Sequence, residues 1–119
     1  RQQLIADLND RYRRGEEGVP GLMNLTQGVV HLAAGHDVGK SDDQSSGVER
    51  VLAMVRAFDT FDRDNDPYGE HDFGAFTFEG ETLYFKFDYY TPDMMAGAKD
   101  PTDPKDTLRV LTIMLASEY

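Results

Sequence analysis

The sequence predicts an α+β fold on three observations. Residues 2–14 place Leu4, Ile5, Leu8 and Tyr12 on one helical face. Residues 73–90 carry two β-type, aromatic-rich runs on either side of Glu79-Gly80, a two-residue turn signal. Residues 104–117 follow Asp103 and Pro104 with a wide apolar stripe. The expected architecture is a small antiparallel sheet with a central aromatic-rich hairpin, about 73–78 and 82–90. An N-terminal helix (about 2–14) and a C-terminal helix (about 104–117) pack against it. The length of 119 residues suits one domain, 1–119.

The elements follow in chain order. Gly15 and Gly18-Val19-Pro20-Gly21 end the first helix. Leu22 to Leu32 reads as a short strand, a turn near Thr26-Gln27-Gly28 and a second short element. Residues 33–47 are rich in Gly, Ser, Asp and Lys and read as a mobile loop. Val48 to Phe58 fits two periods. Val51, Met54, Val55 and Phe58 suit a helix; Val51, Ala53, Val55 and Ala57 suit a strand, which is preferred for the second half. In the hairpin, the turn sets Phe76 opposite Leu83 and Gly74 opposite Phe85, on the face of Phe78, Phe87 and Tyr89. The other face carries Thr77–Thr82, Ala75–Tyr84 and Phe73–Lys86. One step further, the same register sets His71 opposite Asp88. In the last element Asp103 reads as the N-cap and Pro104 as the first helical residue. Leu108, Leu111, Met114 and Leu115 form its stripe.

Charge is distributed unevenly. The net charge is −10, with 22 acidic and 12 basic residues. Residues 1–58 hold 8 acids and 7 bases, and residues 59–106 hold 13 acids and 4 bases. The second segment therefore carries −9 by itself. Such a field repels nucleic acid and acidic membranes and attracts cations and basic protein surfaces. The absence of Cys excludes disulfides and thiolate chemistry and suits a reducing cytoplasm. No apolar run approaches the roughly 20 residues needed to span a bilayer.

The long stretch Asp64-Asn65-Asp66-Pro67-Tyr68-Gly69-Glu70-His71-Asp72-Phe73-Gly74 and the stretch Arg109 to Tyr119 carry a resemblance. So do Lys86-Phe87-Asp88-Tyr89-Tyr90 and Leu8-Asn9-Asp10-Arg11. Together they resemble the bacterial domain-of-unknown-function family 3768, over most of the chain except 33–47. The family's members are small, often plasmid-borne alphaproteobacterial proteins. The resemblance implies a cytoplasmic bacterial protein on mobile DNA, where anti-defence and plasmid-maintenance proteins are common. It implies no catalytic residues.

Several motifs are weighed and set aside. Ala34-Gly35-His36-Asp37-Val38-Gly39-Lys40-Ser41 fits a relaxed phosphate loop, but Asp42 and Asp43 would lie beside the phosphates. Asp62, Asp64 and Asp66 alternate as in a calcium loop, yet Pro67 stands where Gly is needed and Phe73 where a bidentate Glu is needed. Asp62, Asp64, Asp66 and Glu70 remain the alternative set for a divalent cation; otherwise no cofactor is expected. Lys86 has Tyr84 two residues before it, which breaks the carboxylate–x–Lys pattern of nucleases. His31 and His36 are spaced for neither one helical nor one strand face.

Two functional expectations remain. The preferred one is a non-catalytic protein-binding module, in its sharp form an anti-defence or regulatory inhibitor. It would present carboxylates where phosphates sit on a nucleic-acid-binding protein, and would bind neither nucleic acid nor membrane directly. Its contact residues would be Asp64, Asp66, Asp88, Tyr90, Asp93, Met94, Met95, Asp100 and Asp103, aromatic and Met side chains rimmed by acids. The alternative is a small metal-assisted hydrolase on His71, Glu70, Asp72 and Asp88, in which a carboxylate would orient the imidazole.

Overall fold

The computed structural model describes residues 1–36 and 46–119. The chain runs through α1 (Gln2–Arg13), β1 (Gly21–Leu25), α2 (Gln27–Ala34), α3 (Gly47–Ala57), β2 (Phe73–Phe78), β3 (Glu81–Tyr90) and β4 (Leu108–Leu115). A short 3-10 turn, Ala116–Glu118, follows. The α+β class, the first helix and a strand at the start of 22–32 match; Gln27 and Gly28, read as part of a turn, instead open α2 behind the Thr26 cap, and Ala33 and Ala34, read as loop, close it. Most of the phosphate-loop stretch and of the 33–47 loop lies outside the described residues.

The four strands lie in the order β1-β4-β3-β2. The hairpin register is the expected one, with Phe76 on Leu83, Gly74 on Phe85 and Phe73 on Lys86. Its turn places Glu79 and Gly80 at φ of 50° and 80°. Positive φ at both central residues gives the turn the twist that a two-residue hairpin requires. The hairpin is not central, however. β2 is an edge strand, and β3 and β4 form the middle of the sheet. The sheet is also mixed, because β1 pairs parallel with β4.

The largest correction concerns 104–117, which form no α-helix. Residues 108–115 are strand β4, paired on both sides. Arg109, Leu111 and Ile113 are buried at every second position. Asp103 does accept a hydrogen bond from the Lys105 N–H (2.9 Å), but as part of a turn. The β-branched residues Val110, Thr112 and Ile113 favour the extended chain, and a gap between β1 and β3 supplies backbone partners on both edges.

The second correction concerns 48–58. The segment is helix α3, not a strand. Ser46 caps it by accepting from the Glu49 N–H (3.0 Å), and Val51 and Val55, one turn apart, are its buried face. Its start crosses α2 so closely that a Cβ on Gly47 would collide with the Ala33 carbonyl, which makes glycine necessary there.

All three helices lie on one face of the sheet. Val29, Ala33, Val51 and Val55 meet Phe78, Leu83, Phe85, Phe87, Leu111 and Ile113 in one apolar core. Tyr12 of α1 meets Phe87 edge-on. On the opposite face Tyr119 turns back against Phe73 and Tyr84. The Glu118 carboxylate sits at the start of α2, accepting from Thr26 Oγ1 (2.6 Å) and the Gly28 N–H (3.3 Å). The bond from Thr26 first, then one from the Leu115 N–H (2.8 Å) and least the one from Gly28, hold its pKa below the usual carboxylate value.

Polar groups complete the core. Arg13 is fully buried, and its Nη1 donates to the carbonyls of Val55 (2.7 Å), Arg56 (3.3 Å) and Phe58 (2.7 Å) at the end of α3. A cation at a helix C-terminus also opposes the dipole of that helix. Its Nη2 reaches Asp10 Oδ1 at 2.9 Å. Arg13→Ala should therefore leave the α3 carbonyls without their side-chain donor and Asp10 without its guanidinium partner. The expected loss is about 3–5 kcal/mol, a large part of the stability of a domain this size. Urea unfolding should show a markedly lower midpoint with an unchanged slope; an unaltered midpoint would show that the clamp is dispensable.

Candidate functional site

The segment between α3 and β2 holds most of the residues singled out from the sequence. Its Asp-x-Asp-x-Asp spacing serves the backbone. Asp62 Oδ1 accepts from the N–H groups of Asp64 (2.9 Å) and Asn65 (3.0 Å), and Asn65 Oδ1 accepts from the Asp62 N–H (2.9 Å). Asp66 is buried and accepts from the N–H groups of Glu70 (3.0 Å) and His71 (3.2 Å). These are side-chain turns, which Asp and Asn favour because their short side chains reach backbone donors a few residues ahead. Asp66 is therefore removed from the expected contact surface. Among the described residues no group of three or more His, Asp or Glu side chains is placed to hold a metal ion. Asp62, Asp64, Asp66 and Glu70 are not gathered into one.

His71 departs from the expected register. Its φ is +55°, and the β2–β3 ladder ends at Phe73 and Lys86. Only the Asp72 carbonyl continues the pairing, accepting from the Phe87 N–H at 2.9 Å. The left-handed residue turns the chain away from β3, so His71 does not face Asp88. Instead its Nδ1 lies 2.9 Å and 3.0 Å from the two oxygens of Asp10 on α1. Its Nε2 is 3.8 Å from Asp66 Oδ2. Phe61 stacks flat on the ring, with centroids 4.0 Å apart. Asp88 pairs with Lys86 Nζ at 2.6 Å. The real set is therefore Arg13–Asp10–His71, a buried guanidinium holding the carboxylate that orients the imidazole. Asp10 and Arg13 were not singled out from the sequence. Their signal was an Asp and an Arg three apart on the polar side of an amphipathic helix, a pattern that most often marks a solvated face.

Glu70 and Asp72 stand differently. Burial, then the charges of Asp72 and Asp66, push the Glu70 carboxyl above its usual value. Asp72 is also raised, first by burial and then by Asp66 and Asp88, against a lowering backbone hydrogen bond. The two carboxylates sit in a field of their own sign. Arg1 is the cation that eases Glu70, and it is bonded to Asp100 at 2.9 Å.

The other expected contact residues lie where β3 ends and in the loop beyond. Tyr90 is half-buried and bridges to Gly97. Asp93 caps a tight loop by accepting from Thr91 Oγ1 (2.6 Å) and the Met95 N–H (2.9 Å). Met94 and Met95 project from it, Met95 with 83% of its surface exposed. Asp64 is exposed, and no ion pair to it occurs among the described residues.

A family model described as "Protein of unknown function (DUF3768)" matches residues 25–118. These define the class: a small α+β domain with a mixed four-stranded sheet, helices on one face and an acidic loop at its side. The chain belongs to that family, and the match covers everything from the end of β1 to the 3-10 turn. No curated protein and no solved structure matches the chain. Among the described residues no helix is long and apolar enough to cross a membrane.

The raised Asp72 makes a direct prediction. A folded state that holds a proton more tightly than the unfolded chain gains stability as pH falls through the raised value. That gain is fully present below the ordinary Asp value of 3.8. At neutral pH the ionised group opposes folding. Asp72→Asn should raise the melting temperature at neutral pH by about 1–3 °C, and the gain should vanish once wild-type Asp72 is protonated. Scanning calorimetry across the acid range checks this; a variant less stable than wild type at neutral pH would contradict it.

Proposed function

We propose that the protein is a non-catalytic binding module whose acidic segment docks on a basic surface of another protein. In its specific form it is an anti-defence or regulatory inhibitor that covers a nucleic-acid-binding site with carboxylates. The observation that carries this reading is the crowding of the Glu70, Asp72 and Asp66 carboxylates, which together with burial raises the first two above their ordinary values and which Arg1 and His71 offset only in part. A partner's Lys or Arg would relieve this like-charge crowding on binding. The acids divide into two groups. Asp62 and Asp66 are engaged with backbone N–H groups, whereas among the described residues Asp64, Glu70 and Asp72 accept no such bonds from other residues. Met94 and Met95 add an adaptable apolar contact at the end of β3. A bacterial, cytoplasmic, plasmid-borne setting fits the same reading.

The test reverses only the acids that the fold does not use. Asp64→Lys, Glu70→Lys and Asp72→Lys are combined, and tagged wild type and variant are used to capture proteins from a host lysate. Wild type should retain a basic, nucleic-acid-handling protein at low salt and release it as salt rises. The variant should bind it about 10–100-fold more weakly, with an intact fold by circular dichroism. Equal retention by the variant, or retention indifferent to salt, would sink the proposal.

A second reading, a small metal-assisted hydrolase, has one observation in its favour. Asp10 orients His71 through Nδ1, the way a carboxylate prepares an imidazole to move protons at its other nitrogen. It expects calcium, magnesium, manganese or zinc to raise the melting temperature, and His71→Ala to remove the rise. A melting temperature that none of the four ions moves would count against it.

A further inference from the structure

β1 lies at the edge of the sheet, with β4 on one side and, among the described residues, no strand on the other. The phase of its ladder is fixed by two bonds, from the Arg109 N–H to the Pro20 carbonyl (3.3 Å) and from the Thr26 N–H to the Ile113 carbonyl (3.1 Å). In a parallel ladder alternate residues bond to the same neighbour, so Leu22 and Asn24 serve β4. Gly21, Met23 and Leu25 direct their N–H and C=O groups outward. Sheet edges are usually blunted by Lys, Pro, a bulge or a covering element. This one carries none of these within Gly21–Leu25, and Leu22 and Met23 remain 48% and 40% exposed.

We propose that β1 pairs antiparallel with β1 of a second copy of this chain, about a two-fold axis through Met23, joining the two sheets into one. Residues two apart form the hydrogen-bonded pairs of an antiparallel ladder. Met23 therefore exchanges both bonds with its own copy, and Gly21 does so with Leu25. Leu22 then lies opposite Asn24 on the open face, and the two Met23 side chains meet on the helical face.

Charge selects both the partner and the edge. Two molecules of −10 repel one another wherever their acids meet. Residues 18–36 contain no Asp, Glu, Lys or Arg, the longest such run in a sequence that is 29% charged. β1 lies inside that run. The other edge strand, β2, is bounded by Asp72 and Glu79, and in-register self-pairing there would set those acids against each other. The neutral edge is the one through which identical acidic chains can join.

The association should strengthen as salt rises, because salt screens the repulsion and leaves the strand pairing intact. Sedimentation velocity of the full chain at about 0.1 mM should show a dimer, tightening several-fold between about 50 and 500 mM salt. Met23→Lys, which opposes two cations at the axis, should give a folded monomer. The Leu22→Cys/Asn24→Cys variant should oxidise to a linked dimer, since the chain has no cysteine of its own. A wild type that stays monomeric at every salt, or a dimer that survives Met23→Lys, would overturn the proposal.

Discussion

Three polar residues on α1 determine how the rest of the molecule is arranged. Asn9, Asp10 and Arg13 point inward, and each is tied to a different part of the chain. Arg13 holds the end of α3. Asp10 holds His71 in the acidic segment. Asn9 donates to the Glu70 carbonyl (3.0 Å) and to the Tyr89 hydroxyl (2.8 Å), and accepts from Arg109 Nε (2.9 Å). Arg109 is itself fully buried under the Tyr89 ring and also donates to the Pro101 carbonyl. Burial holds the Arg109 pKa below its ordinary value and lifts the Tyr89 hydroxyl to about 12. A buried guanidinium is costly unless it is surrounded by acceptors, and α1 supplies one to each, Asp10 to Arg13 and Asn9 to Arg109. Two nitrogens, Arg13 Nε and Arg109 Nη1, have no hydrogen-bond partner among the described residues, so the network is nearly but not fully satisfied there.

That constraint fixes what the acidic segment presents. Once Asp10 holds His71 and Asp66 holds the N–H groups of Glu70 and His71, the chain must pass through a left-handed residue before β2 begins. The acids thereby separate by local geometry and not by sequence order. Those with a backbone donor within reach become part of the loop. Glu70 and Asp72, on either side of His71, are left crowded by charges of their own sign. The field at this place is a consequence of how the turn is closed.

The sequence made the hairpin legible because two strong signals coincided there: a turn that fixes the register and alternation on both strands. α1 was legible from Leu4, Ile5, Leu8 and Tyr12, although its inward polar residues were not. Asn9 and Arg13 belong to types that usually face water, and only the tertiary partners reveal that they do not. β4 was misread for a related reason. A buried Arg109 breaks the apolar alternation at its start, and Leu108, Leu111 and Leu115 mimic a helical stripe. An Asp-Pro pair just ahead completed the imitation. α3 carried a legible start in Ser46 and Glu49, the spacing of a capping box, which outweighs the alternation of Val51, Ala53, Val55 and Ala57. For the site, the expected partner of His71 came from extending a ladder that the backbone ends two residues earlier. No pairing rule within a hairpin points to Asp10, because that contact spans 61 residues.

The division of charge along the chain limits which surfaces can meet. A uniformly acidic domain would repel its own kind from every side. Here the excess lies in 59–106, while the chain from 18 to 36 carries none. The first region gains from cations and is weakened by salt; the second is indifferent to cations and is freed by salt. The two proposed contacts, a basic partner at the acidic side and a like copy at the neutral edge, therefore do not compete. Because salt drives them in opposite directions, an ionic-strength series separates them physically without a mutation. A domain with the same composition but mixed charges would offer neither the steering field nor the quiet edge.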